Sequence, residues 1–327
     1  MRSPARHVGS IVDTALDRLV VPGYTRVGHA VRRRLPGWPR DPDPDALVGR
    51  HVAVTGATSG LGAATAQGAL LLGAHVHLVV RDTAKGEQVA AGLGAPGRTT
   101  VWHCDVADLD SVRAFTTAFR AEVPRLDGLA HNAGALPATR TESAQGHELT
   151  MALHVLGPVA MTEALLPVLS GGAPVVLVTS GGMYGQRLRA DDPDYHQGSY
   201  SGTAAYARSK RAQVELLPLL RRRWAGSDPG PVVHAVHPGW ASSPGLSAAL
   251  PGFTRLTTPL LRTPEAGADT TVWLLTRPGL QGGRLWHDRR PRPTHLVRAT
   301  RSGPDEAAEL WAWVLGAAGL PGAGSNP

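Results

Sequence analysis

Tyr206 and Lys210 are the two residues of this chain whose types and spacing best suit acid–base chemistry. They stand four positions apart, so on a helix they share one face, with Cβ atoms about 5–6 Å apart. A free phenol has a pKa of about 10, and a neighbouring ammonium group favours the phenolate and lowers that value. The only other lysine is Lys85. The pair therefore predicts a phenol that exchanges protons near neutral pH.

A glycine-rich segment, Thr55-Gly-Ala-Thr-Ser-Gly-Leu-Gly62, follows the apolar run 51–54 and precedes an alanine- and leucine-rich stretch, 63–72. A second apolar run covers 75–80. This order predicts a strand, a turn, a helix and a second strand. The turn would present backbone N–H groups and the positive end of a helix to a pyrophosphate. Gly56 and Gly60 would allow the tight turn, and Gly62 the close approach of helix and sheet.

The rest of the chain from residue 50 alternates in the same way, which predicts an α/β fold. We expect a single Rossmann-type, doubly wound parallel sheet of about seven strands with helices on both faces. The predicted strands are 51–55, 75–80, 100–104, 127–131, 174–179, 231–236 and 283–286. The predicted helices are 60–72, 108–122, 145–170, 203–224 and 264–277. Residues 1–47 are predicted as a helical extension and linker, 48–303 as the catalytic domain, and 304–327 as a C-terminal helix and tail.

Composition limits the classes of function. The 327 residues carry a net charge of +7, but the arginine clusters are dispersed and lack interleaved aromatic residues, which argues against nucleic acid as a partner. A single cysteine, Cys104, fits a reducing compartment, and we expect a cytoplasmic protein. Peripheral membrane contact through residues 1–47 and an oligomeric state both stay open. The fourteen histidines are scattered, so no metal site is expected.

The ordered motifs resemble the short-chain dehydrogenase/reductase superfamily over residues 50 to about 290. The matching segments are the glycine turn 55–62, Asn132-Ala-Gly134, Ser180, Tyr206 with Lys210, and Pro238-Gly239. The segments 180–183, 237–245, 251–253, 265–270, 288–291 and 293–296 are similar to the branch that contains dehydrogenase/reductase SDR family member 12. The placement of an extension before the first strand is also similar to that branch.

The resemblance implies that Tyr206 exchanges a proton with the substrate oxygen while hydride moves to or from a nicotinamide. It also implies that Lys210 binds the nicotinamide ribose and that Ser180 holds the carbonyl oxygen. His154 stands where many members carry an asparagine that supports a proton-relay water. A histidine can bind water and titrate near neutrality, so a relay through His154 is open. A different relay, reduced activity and a core histidine without a catalytic role are open as well.

The resemblance further implies a binding site for NADP, with NAD as the alternative. Arg81 follows the second strand and suits a 2′-phosphate, while Asp82 keeps NAD open. The remaining cofactor-binding residues implied are Thr55, Gly56, Thr58, Ser59, Gly60, Leu61, Gly62, Asp105, Val106, Asn132, Ala133, Gly134, Tyr206, Lys210, Pro238, Gly239 and Ser243.

These features together predict an NADP(H)-dependent oxidoreductase that interconverts a carbonyl and an alcohol. The segments 181–202 and 240–262 are expected to form the substrate wall, and the apolar residues of the second segment favour a small lipophilic substrate. The alternative for the second segment is a packed lid that only covers the cofactor. The alternative is a catalytically impaired NAD(P)-binding regulatory or scaffold protein, which the histidine at 154 motivates. A sugar-nucleotide epimerase is a weaker alternative, because its glycine turn is usually spaced differently.

Overall fold

A computed structural model describes residues 4–225, 230–242 and 257–322 of the chain. These residues contain one eight-stranded sheet in the order β3-β2-β1-β4-β5-β6-β7-β8. The strands are β1 His51–Thr55, β2 His75–Val80, β3 Thr99–His103, β4 Gly128–His131, β5 Pro174–Val178, β6 Val232–Val236, β7 Arg284–His287 and β8 Arg290–Arg292. Strands β1 to β7 pair in parallel, and β8 pairs antiparallel with β7.

The described helices cover both faces of the sheet, and apolar clusters fill the space on each side. They are α1 Pro4–Arg18, α2 Val20–Tyr24, α3 Arg26–Arg34, α4 Gly60–Leu71, α5 Thr83–Gly92, α6 Leu109–Glu122, α7 Leu149–Met151, α8 Gly157–Leu165, α9 Gly202–Glu215, α10 Leu217–Trp224, α11 Pro264–Leu275 and α12 Pro304–Ala317. The predicted Rossmann-type α/β fold is confirmed. The order of the strands reverses between β1 and β4, because β2 and β3 lie on one side of β1 and the later strands lie on the other. The carboxyl ends of β1 and β4 therefore border a crevice.

Two elements were not predicted from the sequence. Helix α5 is short and contains Gly86, a poor helix former, and its start depends on Asp82, whose carboxylate accepts a bond from the Lys85 backbone N–H. Strand β8 has only three residues and contains Pro291, so it carries little strand signal and lies at the sheet edge.

Two predicted helices are divided in the structure. The helix predicted at 145–170 begins at Leu149 and contains a π-helical turn, Ala152–Leu156, between α7 and α8. The helix predicted at 203–224 breaks at Leu216, because Pro218 in the first turn of α10 has no N–H to donate to the preceding turn.

The N-terminal extension forms three helices. Helix α1 ends at Arg18, and the Pro22-Gly23 pair lies inside the short α2. The proposed divisions at residues 47 and 303 fall just before β1 and just before α12.

Candidate active site

Tyr206 lies in the second turn of α9, a helix that begins where Ser201 accepts a bond from the Ala204 backbone N–H. Its ring meets the ring of His154 edge-on, with centroids 5.3 Å apart. Burial raises the pKa of the Tyr206 phenol, and a hydrogen bond with the Ser180 side chain acts in the opposite direction. The balance is a raised pKa, whereas the sequence had predicted a lowered one.

Lys210 explains that difference. Its Nζ lies 5.6 Å from the centre of the Tyr206 ring, one helical turn further along α9. The ammonium group donates to the backbone oxygen of Val178 at 2.7 Å. Burial lowers the pKa of Lys210 to about 7, so this group is only partly charged at neutral pH. Desolvation by burial is therefore the main cause of the pKa shift of both groups.

Ser180 follows β5 and begins a 3₁₀ turn, Gly181–Gly185, where its Oγ accepts from the Gly182 N–H at 3.3 Å. The hydroxyl is also within hydrogen-bonding reach of Tyr206. Thr179, just before it, donates to the backbone oxygen of Lys210 at 2.9 Å. The end of β5 and helix α9 are thus joined, and the serine and tyrosine hydroxyls are held together.

His154 lies in the π-helical turn behind the tyrosine. Its Nδ1 is 2.8 Å from the Ser209 hydroxyl, which itself donates to the Tyr206 backbone oxygen, so Nδ1 must carry the proton. Its Nε2 accepts from the Ala135 N–H at 3.4 Å. Burial, and next the charge of Lys210, hold the pKa of His154 well below its usual value. A relay in which His154 titrates near neutral pH therefore does not fit this geometry.

The glycine turn leads from β1 into α4 as predicted. Gly56 has φ +66°, and a Cβ on it would lie 2.7 Å from the Ala133 Cα. Thr55 is buried beneath the turn and accepts from the Ala133 N–H at 3.1 Å. A Cβ on Gly62 would collide with the Gly56 carbonyl. These contacts require glycine at both positions.

One cleft of about 750 Å³ brings most of the predicted residues together at the carboxyl edge of the sheet. Of the predicted site residues, the cleft is lined by Gly56, Thr58, Ser59, Gly60, Leu61, Gly62, Arg81, Asp105, Val106, Asn132, Ala133, Gly134, Ser180, Tyr206, Lys210, Pro238 and Gly239. Thr55 and His154 lie behind this surface. Ser243 lies outside the described residues, as does most of the segment 240–262.

The cleft has the features that a dinucleotide needs. Both side-chain polar atoms of Asn132 are buried and have no partner within the described part of the chain. A buried amide without a partner is costly, and a ligand hydroxyl would satisfy it. Gly134 supplies a side-chain-free surface next to it. The residues present therefore fit a nucleotide along this edge.

Lys85 is a residue of the cleft that sequence reasoning missed. It lies on α5 and lines the same end of the cleft as Arg81. Arg81 is largely exposed, and its nearest carboxylate oxygen, on Asp105, is 3.9 Å away. Because Asp82 caps α5 through its Oδ1, that carboxylate already has a structural partner. Recognition of α5 from its Asp82 cap would have revealed Lys85.

Residues 50–250 match the short chain dehydrogenase family. The chain belongs to the short-chain dehydrogenase/reductase superfamily. It is 37% identical over 273 residues to dehydrogenase/reductase SDR family member 12 of Bos taurus, covering 81% of this chain and 84% of that protein. It is 34% identical over 271 residues to retinol dehydrogenase 14 of Mus musculus, covering 75% of this chain and 80% of that protein. The resemblance seen in the motifs is confirmed.

A solved member of the superfamily shows the same fold with a cofactor. A short chain dehydrogenase of Escherichia coli CFT073 in complex with NADPH has a TM-score of 0.60 and 25% identity, covering 76% of this chain and all of that one. As a family member, the chain is an oxidoreductase that uses a nicotinamide cofactor and a small-molecule substrate.

Two further observations concern the surroundings of the site. Across residues 4–225, 230–242 and 257–322, no group of three or more His, Cys, Asp or Glu side chains is arranged to hold a metal ion. Over the same ranges, no helix has the length and apolar character needed to cross a bilayer.

Proposed function

We propose that this protein is an NADP(H)-dependent oxidoreductase that interconverts a carbonyl and an alcohol, acting on CH–OH with NAD(P)⁺ as acceptor. The observation that carries the proposal is the meeting of Ser180, Tyr206 and Lys210 in the same cleft as the glycine turn. When bound, a nicotinamide would supply or accept the hydride. The side chains around it would bind, orient and protonate the substrate.

The proton chemistry is assigned to Tyr206. During reduction its hydroxyl gives a proton to the substrate oxygen, and during oxidation it takes that proton back. Ser180 orients the same oxygen through its hydroxyl. Lys210 has a pKa of about 7, so it can take up a proton at neutral pH and stabilise the phenolate left after transfer. His154 holds the backbone around residues 135 and 206 instead of carrying the proton.

The cofactor preference is assigned to the arginine and lysine at the adenosine end. Arg81 and Lys85 would both face a 2′-phosphate, while the Asp82 carboxylate caps α5. Charge-assisted bonds to a phosphate are stronger than neutral ones. NADP is therefore proposed, with NAD as the weaker ligand.

The substrate is proposed to be small and lipophilic. The apolar side chains that line the cleft include Leu136, Leu149, Leu153 and Trp240. An apolar wall with a few convergent polar groups is typical of sites for such molecules. The similarity to a retinol dehydrogenase supports the same substrate class.

The test is NADPH oxidation with a panel of lipophilic aldehydes and ketones, measured by loss of NADPH absorbance. Tyr206→Phe should lower kcat by about 10²- to 10⁴-fold, because general-acid catalysis contributes that much. Tyr195→Phe is the control, since its hydroxyl bonds only to the Ser199 backbone among the described contacts. Equal turnover by Tyr206→Phe and the parent would refute the assignment. NADPH binding without turnover on any carbonyl would favour the regulatory or scaffold alternative.

Peripheral membrane contact is proposed for the outer surface of the extension, in a cytoplasmic protein. Ile11, Leu19, Val27 and Val31 are exposed there. The arginines at 18, 26, 33 and 34 are also exposed, whereas the only acids of residues 4–40, at 13 and 17, are buried. An apolar and purely basic surface complements anionic lipid.

Co-sedimentation with phosphatidylserine vesicles tests this contact. Ile11→Asp with Leu19→Asp should abolish binding, and Leu71→Asp, on the exposed face of α4, is the control for removing an exposed leucine. Failure of the parent protein to sediment at low salt would refute the contact.

A further inference from the structure

We propose that the N-terminal helices help to shape the active site. Tyr24 is then a positioning residue for the nicotinamide half of the cleft. This inference rests on the proposed function. Tyr24 ends α2 and is almost completely buried, although it lies more than a hundred residues before Asn132 and the predicted site residues that follow it. Its surroundings show why it is buried.

The Tyr24 ring packs against the segments that follow β5 and β6 and against the last residue of β7. It meets His237 edge-on with centroids 4.5 Å apart and His287 edge-on at 5.0 Å. These two imidazoles stack on each other at 4.7 Å. A Cβ on Gly181 would lie 3.5 Å from the Tyr24 ring. Gly181 follows Ser180, and His237 precedes Pro238, so the ring supports both sides of the proposed nicotinamide pocket.

The Tyr24 backbone holds the same loop. Its oxygen accepts from the Trp240 N–H at 2.8 Å and from Arg262 Nε at 3.0 Å. The Arg262 N–H in turn donates to the Trp240 oxygen at 2.7 Å. Gly239, between Pro238 and Trp240, has φ +80°, and a Cβ there would lie 2.8 Å from the Tyr24 oxygen. The path of residues 238–240 is therefore fixed by a residue of the extension.

Buried ion pairs fix the extension itself. Asp288 is 1% exposed and accepts from Arg32 Nη1 of α3 at 2.7 Å and from Arg262 Nη1 at 2.6 Å. Arg32 Nε also donates to Asp13 of α1 at 2.9 Å. Removing one partner of a buried pair is strongly destabilising, since the other charge is left uncompensated. The extension is thus held firmly enough to set the position of Tyr24.

The two halves of the cleft consequently differ in what supports them. The adenosine half is supported by contacts among residues 55–134, such as the bond from the Ala133 N–H to Thr55. The nicotinamide half has Tyr24 behind it. Loss of the Tyr24 ring should therefore disturb only the nicotinamide half.

The experiment compares two ligands on the parent protein, two variants at Tyr24 and one control variant. NADPH contacts both halves of the cleft, whereas adenosine 2′,5′-bisphosphate contacts only the adenosine half. Tyr24→Ala should weaken NADPH binding about tenfold and lower kcat by at least as much, because small misplacements of reacting groups have large effects. Its affinity for the bisphosphate should change less than about twofold. Tyr24→Phe keeps the ring and should restore both NADPH affinity and kcat.

Phe119→Leu is the matched control for general destabilisation. Phe119 is buried in α6 and packs against His77 and Trp102, away from the cleft. Phe119→Leu should lower the melting temperature, while both ligands should bind as tightly as they bind to the parent. Unchanged NADPH affinity and kcat in Tyr24→Ala, or equal weakening of both ligands, would overturn the inference. If the parent binds NADPH but reduces no carbonyl, the proposed function fails while the binding comparison still decides the role of Tyr24.

Discussion

The proposed adenosine and nicotinamide halves of the cleft are built in different ways. The adenosine half comes from consecutive strands and turns: the glycine turn after β1, Arg81 after β2, Asp105 after β3 and Asn132 after β4. The nicotinamide half combines β5, α9 and the loop after β6 with support from Tyr24. That tyrosine and its partner Arg262 are 238 residues apart in the chain.

The difference shows what determines each half. In the adenosine half, backbone geometry decides: a positive φ at Gly56 and close approach to Ala133 leave no room for a side chain. In the nicotinamide half, buried charges and rings determine the positions of the loops, and their contacts form only when the whole domain has folded. Substitutions in the first half should therefore act on binding of the adenosine part alone, and substitutions in the second on the reacting end.

Gly56→Ala should give the largest loss of ligand affinity. The added Cβ would meet the Ala133 backbone at 2.7 Å in a left-handed conformation. A cost of about 2–3 kcal/mol for returning the relaxed turn to its ligand-binding shape would weaken binding by about 30- to 150-fold. Calorimetry should show the same loss for NADPH and for adenosine 2′,5′-bisphosphate, in contrast to Tyr24→Ala.

Gly94→Ala is the control for the backbone strain alone. Gly94 has φ +64°, but a Cβ there meets nothing within 4 Å. It should cost stability and leave the affinity for both ligands unchanged. If Gly56→Ala spared the bisphosphate, the turn would not belong to the adenosine half.

Arg81→Glu should shift the cofactor preference from NADPH toward NADH and leave the nicotinamide half of the cleft unchanged. The ratio of kcat/KM for NADPH over NADH should fall by about 10- to 100-fold, because a charge-assisted phosphate contact becomes a repulsion. Arg120→Glu makes the same charge change on the exposed side of α6 and should leave the ratio as it is. Unchanged NADPH affinity in Arg81→Glu would refute the role of the arginine.

The sequence predicted the adenosine half better because its signals are local. Apolar runs and glycines of one segment defined β1, the turn and α4 almost to the residue. In the nicotinamide half, the four-residue spacing that placed Tyr206 and Lys210 on one face of α9 was also a local signal. The raised pKa of Tyr206 was not predictable, since it follows from burial that only the packed domain creates. The role of Tyr24 was also hidden, because its histidine and arginine contacts come from residues more than two hundred positions away.

Acid should affect both halves alike. His131 precedes Asn132, and His237 precedes Pro238; burial lowers the pKa of each to about 3. An unfolded histidine has a pKa of about 6.5, so below that pH the unfolded chain takes up protons that the folded chain does not. Stability should therefore fall as pH drops from about 6.5 toward 3. At pH 5 each histidine would contribute a loss of about 2 kcal/mol.

His131→Phe should make the free energy of unfolding less dependent on pH, because the unfolded chain then takes up one proton fewer. Thr162, the partner of His131 Nε2, keeps its own bond to the Pro158 oxygen, so the substitution leaves no orphaned hydroxyl. The measurement is the free energy of unfolding in urea at pH 7 and pH 5. His103→Phe, at an exposed position, should keep the parent slope. Identical slopes in His131→Phe and the parent would show that His131 is not buried as a neutral imidazole.

His154→Asn should give the smallest effect, although this position departs from the pattern of many family members. Both ring nitrogens of His154 are engaged by Ser209 and Ala135, and burial keeps its pKa well below 6.5. The asparagine should therefore change kcat by less than about tenfold, within what positioning contributes, and leave the pH profile of kcat unaltered. A parent profile with an inflection near pH 6.5 that disappears in His154→Asn would instead make the imidazole a proton carrier. If the parent bound NADPH without turnover and the asparagine restored reduction, residue 154 would be what keeps this chain from catalysis, and the regulatory alternative would hold.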